Sequence, residues 1–273
     1  MEEIRNPTVE ELKALNRDLL FRPVENPGRQ FLRTGQIDDF NRDGYLMPFD
    51  GLSAEETDDL RAYFDHILEM VLSRGDSSYS ISTAHLKYRR IYELMSHPSI
   101  LAPVHDLLGD NLIGWGAHFF CKMPMDGKKV PWHQDCLYWP LSPSRTVTVW
   151  LAIDDASLEN ACMQFIPGSH RLGPMDFTVS TDPSDILNLS IRREAVSERD
   201  SVPVELRAGQ FSIHSDLLLH GSDENLSDRR RCGLTMRYAA AEVRATHGWH
   251  HKGIIVSGND PSGHWANPEP PEE

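Results

Sequence analysis

Residues 145–153 read Arg145-Thr146-Val147-Thr148-Val149-Trp150-Leu151-Ala152-Ile153, a run of β-branched and aromatic residues with Ser142-Pro143-Ser144 before it and Asp154-Asp155 after it. Such a run has strand rather than helix character. Residues 112–123, 163–167, 202–206, 210–214 and 232–238 are of the same kind, separated by Gly, Pro, Asp and Ser turns. Many short strands without crossover helices between them point to an antiparallel sandwich or barrel, not a parallel α/β sheet.

Upstream of this β region the period changes. Thr8 with Glu11 and Ser53 with Glu56 form capping-box pairs. The second opens a helix in which Leu60, Phe64, Ile67, Leu68 and Val71 recur at helical spacing. Residues 22–35 are a loop broken by Pro23, Pro27 and Gly28, and residues 36–43 are a short helix. Asp43-Gly44-Tyr45-Leu46 is a turn into a short strand, and residues 98–108 are a helix that stops at Gly109. The Asp- and Ser-rich residues 173–201 predict a loop or lid, and the Pro-, Gly- and Glu-rich residues 258–273 a frayed tail. The expectation is one mainly β domain over 1–273, with flanking α: a helical part to about 110, a β core over about 111–245 and a short tail.

Composition is that of a globular chain, 40% hydrophobic and 25% charged. A net charge of −14 argues against nucleic acid or an anionic membrane as partner. Cys121, Cys136, Cys162 and Cys232 form no C-x-x-C pair, no apolar run is long enough to span a bilayer, and Met1-Glu2-Glu3 is acidic. The expected location is therefore cytoplasmic, with reduced thiols. Phosphate-cradling loops, dinucleotide fingerprints and the serine-hydrolase elbow are absent from the sequence.

The sharpest chemical feature is Trp132-His133-Gln134-Asp135. On a strand, residues i and i+2 point to one side, so H-x-D aims an imidazole and a carboxylate at one point. A further histidine would complete a two-His, one-carboxylate set with open positions for other ligands. Alone the pattern is common, and a surface pair is the bland alternative. His214 and His220 are the candidates for the third ligand; six residues apart, they share a face on a regular strand, and spacing does not separate them. After His220 the chain continues Gly221-Ser222-Asp223-Glu224-Asn225-Leu226-Ser227-Asp228-Arg229-Arg230-Arg231. An arginine at the start of the next strand can grip a carboxylate with two parallel bonds, while Arg229 and Arg230 read as a solvated hairpin end.

Further blocks carry a resemblance: Tyr138-Trp139-Pro140-Leu141, Val149-Trp150-Leu151-Ala152-Ile153-Asp154-Asp155, Glu159-Asn160-Ala161-Cys162-Met163 and Ile166-Pro167-Gly168-Ser169-His170. With the H-x-D motif, the His220–Arg231 segment and Asp43-Gly44-Tyr45, the chain resembles the phytanoyl-CoA dioxygenase family of Fe(II)- and 2-oxoglutarate-dependent oxygenases over residues 36–245. The resemblance implies a double-stranded β-helix, a cupin-like jelly roll. It implies His133, Asp135 and His220 as ligands of Fe(II). Arg231 would hold the distal carboxylate of 2-oxoglutarate with help from Ser222, and Gln134 and Trp150 would line that pocket. His214 lacks an arginine at the matching distance and is left structural, and Ala161 departs from the family's usual glycine. The implied reaction uses O2 to hydroxylate a C–H bond of a small molecule, releasing succinate and CO2. Retention of Asp135 favours hydroxylation over halogenation, because halogenating relatives replace this carboxylate.

His118 and Lys122, on one face of the 112–123 strand with Phe120, are candidate substrate contacts; so are His85, Tyr138 and Trp139, for which core packing is the alternative. His247, His250 and His251 lack an acidic or thiolate partner at ligand spacing and read as packing residues, as does His170. Two rival functions use the same residues: a zinc-dependent hydrolase or isomerase, which has no need of Arg231, and a non-catalytic binding protein, which has no need of Asp135.

Overall fold

The computed structural model describes residues 4–191 and 200–272, so Met1-Glu2-Glu3, Glu273 and residues 192–199 of the expected lid lie outside the described residues. The helices are α1 (Val9–Ala14), α2 (Thr34–Asp43), α3 (Ala54–Ser73), α4 (Arg89–Leu94) and α5 (Pro98–Leu108). Both capping boxes form at the starts of α1 and α3, and Gly44 takes the left-handed conformation that ends α2. The helix α4 has no counterpart in the sequence reading.

The strands are β1 (Tyr45–Asp50), β2 (Leu112–Lys122), β3 (Val130–His133), β4 (Leu141–Ser142), β5 (Thr146–Ala152), β6 (Gln164–Phe165) and β7 (Phe177–Val179). They continue as β8 (Leu189–Ile191), β9 (Val202–Pro203), β10 (Gln210–Ser215), β11 (His220–Ser222), β12 (Arg231–Ala240), β13 (Arg244–Ala245) and β14 (Ile254–Ser257). A six-stranded sheet runs β1-β10-β5-β12-β2-β14, and a four-stranded sheet runs β3-β11-β6-β9. All their pairings are antiparallel, and together they form the double-stranded β-helix.

The large sheet is buried on both faces. Cys232, Leu234, Met236 and Tyr238 of β12, with Val147, Val149 and Leu151 of β5, pack against Phe64 and Ile67 of α3 and Ile100 and Val104 of α5. The alternate residues Thr148, Trp150, Arg231, Thr235 and Arg237 face a cavity between the sheets. Gly233 lies on that inner face, and a Cβ there would overlap the Trp150 indole.

Two stretches differ from expectation. Within residues 173–191 a hairpin forms, with Phe177 opposite Ile191 and Val179 opposite Leu189. Its apolar residues are separated by a polar turn, which masks the pattern in sequence. Leu189 and Ile191 are buried beside Leu217 and Leu219. The tail is also packed: Trp265 is buried with Trp115, Trp139 and Trp249, and Asp260 accepts from the Trp265 and Ser262 amides. One indole outweighs a stretch of Pro, Gly and Glu, because an aromatic brings a large apolar area into a core. No described helix is long and apolar enough to cross a membrane, and all four cysteines are free and buried.

Gly233→Ala is expected to displace the Trp150 indole and destabilise the protein by about 1–3 kcal/mol, the usual range for overpacking. Urea unfolding measures this, and an unchanged midpoint would refute the close approach.

Candidate metal centre and its cavity

His133 ends β3, Gln134 stays extended (φ −112°, ψ 134°), and Asp135 opens the 3-10 turn Asp135–Leu137. Gln134's extended backbone thus carries the strand alternation one step past the strand itself. His220 opens β11 and is the direct cross-strand partner of His133, their ring centroids 4.1 Å apart. Pairing across the small sheet brings together two histidines that are far apart in the chain.

Each imidazole is fixed by its own backbone. His133 Nδ1 donates to the Pro131 carbonyl at 2.8 Å, and His220 Nδ1 donates to that of Leu218 at 2.9 Å. Both Nε2 atoms are therefore left with free lone pairs. Thr148 Oγ1 donates to Asp135 Oδ2 at 2.7 Å, while His133 Nε2 lies 3.8 Å from Oδ1. One ligand atom from each of His133, Asp135 and His220 lies within 4.8 Å of the other two. Burial favours a neutral Asp135, but the contacts from His133 and His214 outweigh it and hold the carboxyl well below its usual range. Burial, with His133 and His214 beside it, pushes His220 well down. Two imidazoles and an anionic carboxylate are a donor set that suits a divalent transition metal such as Fe(II).

His214 does not share a strand with His220. It lies in β10 of the large sheet, and the chain crosses over to β11 before His220, so the rings approach from opposite sides at 4.6 Å. Its Nε2 is 3.6 Å from Asp135 Oδ2, and neither ring nitrogen has a hydrogen-bond partner. It stands beside the carboxylate, outside the converging set of three.

Arg231 is fully buried at one end of the cavity. Its Nε donates to the Ala161 carbonyl at 3.1 Å, one Nη donates to Ser222 Oγ at 3.2 Å, and its guanidinium lies 5.5 Å from the Trp150 ring centre. Among the described residues no carboxylate pairs with it. Lys122 is its neighbour in the β2–β12 register, and Nζ donates to the carbonyls of Ser222 and Asp223. Burial, with Arg231 adding repulsion, pushes the Lys122 amine down to about 6.

Of the residues anticipated from sequence, His133, Asp135, His220, Arg231, Ser222 and Trp150 come together around this cavity. The others take different places. Gln134 spends its amide on backbone, donating to Gly173 and Leu217 and accepting from Met175, so it does not line the pocket. Lys122 braces the Ser222–Asp223 backbone. His85 donates to the Lys252 carbonyl at 2.9 Å, and burial lowers its pKa to about 4. His118 donates to the Tyr79 carbonyl and stacks on Phe120, which does line the cavity. Tyr138 exchanges hydrogen bonds with the Leu189 backbone and stands edge-on to His133. Trp139 is buried in the tryptophan cluster. Thr148, Thr235 and Arg237 line the cavity as well, the two threonines without a counterpart in the sequence reading. They share inward parity with Trp150 and Arg231, and that parity is the sequence signal that marks them.

A double-stranded β-helix with two histidines and a carboxylate between its sheets defines a cupin-like metalloprotein. The sequence profile of phytanoyl-CoA dioxygenase (PhyH) matches residues 40–233, more than half of the chain, and the chain belongs to that family. Phytanoyl-CoA dioxygenase domain-containing protein 1 of Bos taurus is 33% identical over 137 residues, 48% of this chain and 47% of that protein. A probable alpha-ketoglutarate-dependent hypophosphite dioxygenase of Stutzerimonas stutzeri is 28% identical over 165 residues, 60% of this chain and 57% of that one. The chain spans about half the length of the curated relatives it matches. Among solved structures, the non-heme monooxygenase ThoJ in its apo form superposes with a TM-score of 0.75 at 28% identity, covering 86% of this chain and 88% of that one. Its nickel complex superposes at 0.70 and 26% identity, covering 86% and 89%.

Asp135→Ala and His220→Ala are each expected to abolish Ni(II) binding measured by calorimetry. His214→Gln is expected to keep it, weakened by about tenfold at most, as for a residue that orients a ligand without being one. Loss of binding in His214→Gln with retention in His220→Ala would reassign the third ligand.

Proposed function

We propose that this chain is an Fe(II)- and 2-oxoglutarate-dependent dioxygenase that hydroxylates a C–H bond of a small polar molecule and releases succinate and CO2. The observation that carries the reading is the His133–Asp135–His220 set sharing its cavity with the buried guanidinium of Arg231, which has no acidic partner among the described residues. Family membership and the named alpha-ketoglutarate-dependent relative support it. Iron held by the three residues, together with 2-oxoglutarate and O2, supplies the oxidising power for an unactivated C–H bond.

The protein's own part is positioning. Arg231 receives the distal carboxylate of 2-oxoglutarate, with Ser222 held at its Nη and the Trp150 face beneath it. A zinc hydrolase would have no use for that guanidinium. Gly221 leaves no room for a side chain, since a Cβ would meet the Val130 carbonyl at 3.0 Å; the His220–Ser222 strand therefore lies tight on β3. Thr148 steers one oxygen of Asp135 and leaves the other for the metal.

Succinate release from 2-oxoglutarate by the Fe(II)-loaded protein under air, screened across small polar compounds, tests the activity; no release with any compound and no 2-oxoglutarate binding would refute it. Losing one partner of a buried charge pair costs roughly 2–5 kcal/mol, tens to thousands of fold in affinity. Arg231→Ala is therefore expected to weaken 2-oxoglutarate binding by about that factor while leaving Fe(II) affinity nearly unchanged. Anaerobic titration against the metal-to-ligand charge-transfer band measures both, and unchanged cosubstrate affinity would transfer the role to another cation.

A further inference from the structure

The inner face of β12 carries a second arginine. Arg231, Gly233, Thr235 and Arg237 alternate along one side, and at about 3.3 Å per residue the two arginine Cα atoms lie roughly 20 Å apart. Both guanidinium groups border the cavity that holds the three converging ligands. Arg231 lines it beside Trp150 and Ser222, and Arg237 lies against two tryptophans of the neighbouring apolar cluster. The Arg237 guanidinium lies 5.9 Å from the Trp115 ring centre and 5.3 Å from that of Trp139. Gly116, its register partner on β2, leaves space for the side chain.

The Arg237 side chain is partly exposed, with its Nε end enclosed. Its Nε is buried with no hydrogen-bond partner, and among the described residues no carboxylate forms an ion pair with it. The acid that bears on it is Asp135, which is already engaged by Thr148, His133 and His214 and faces the metal position. The other charge nearby is repulsive: burial and Arg237 together hold the Lys252 amine down to about 8. A buried, unpaired Nε donor is unfavourable unless an acceptor arrives from outside. Two indole faces satisfy its cationic face but none of its N–H groups.

We propose that Arg237 anchors an anionic group of the primary substrate, a carboxylate or a phosphonate, so that the cavity takes one anion at each arginine. The proposal rests on the cosubstrate reading only in giving Arg231 to 2-oxoglutarate. The substrate is then a small molecule with an anionic group at Arg237 and its reacting carbon toward His133, Asp135 and His220. A flat guanidinium can bind either oxyanion in bidentate fashion.

The test uses the full chain loaded with Ni(II), which permits no turnover, with and without saturating 2-oxoglutarate. Acetate, methylphosphonate and acetamide, the neutral counterpart of acetate, are titrated against tryptophan fluorescence and by ligand-observed NMR. Saturable binding of acetate or methylphosphonate that survives 2-oxoglutarate, with none by acetamide, is expected; which of the two anions binds tells a carboxylate from a phosphonate substrate. Arg237→Gln should weaken that binding by about tenfold or more, with Ni(II) and 2-oxoglutarate affinities little changed, and Arg237→Lys should fall between. The comparison of acetate with acetamide in the unaltered protein needs no variant to fold. The inference is overturned if acetamide binds as well as acetate or neither anion binds. It is also overturned if 2-oxoglutarate displaces the anion, or if Arg237→Gln loses Ni(II) instead of the anion, which would make the arginine a support of Asp135. Failure of the unaltered protein to bind 2-oxoglutarate would defeat the cosubstrate reading, while the anion titration run without it still decides the role of Arg237.

Discussion

The period of two along a strand buried on both faces governs this molecule. On β12 the residues Cys232, Leu234, Met236 and Tyr238 face the helices, and Arg231, Gly233, Thr235 and Arg237 face the cavity. A slip of one residue would drive two guanidinium groups into the layer formed by α3 and α5 and turn the apolar set toward the metal ligands. Pairing with β2 on one side and β5 on the other, over almost the whole strand, holds the register. Packing of the core and placement of the chemistry are thus one constraint, and a change that relaxes either disturbs both.

The candidate metal centre is preorganised by backbone more than by side chains. His133 and His220 each return Nδ1 to a carbonyl two residues earlier, an arrangement that requires extended chain before the histidine. Their cross-strand pairing then sets the distance between the two Nε2 atoms. Asp135 needs a different device, since the strand has ended; the large sheet contributes Thr148 to aim its carboxylate. Each sheet supplies part of the centre, and ligand geometry reports on how the two sheets sit against each other.

Local features were legible in the sequence and long-range ones were not. Capping boxes at Thr8 and Ser53 form because a hydroxyl and a carboxylate three residues apart close on each other whatever the fold. The strands after residue 112 announce themselves through β-branched and aromatic runs. The order of strands in the sheets depends on pairings between distant residues, which no local pattern encodes. His214 and His220 show the limit well: their spacing suggested one strand face, but an intervening crossover puts them in opposite sheets. The hairpin of β7 and β8 and the packing of Trp265 escaped notice because each rests on few apolar residues within polar surroundings. Thr148 and Thr235 belong to no motif, only to the parity of their strands.

Charge in the interior runs opposite to charge on the surface. The chain carries −14 overall, yet the cavity is lined by Arg231 and Arg237 with Asp135 as the acid among its lining side chains. Exposed charges are screened over about 8 Å at physiological ionic strength, whereas buried ones act across low dielectric with little screening. An anion approaching the protein meets weak repulsion outside and strong attraction inside, so an acidic surface does not exclude an anionic ligand. Burial, with an arginine adding repulsion, lowers the Lys122 and Lys252 amines. Ligand binding and stability are tied: a ligand that binds only the folded state raises the unfolding free energy by RT ln(1 + [L]/Kd).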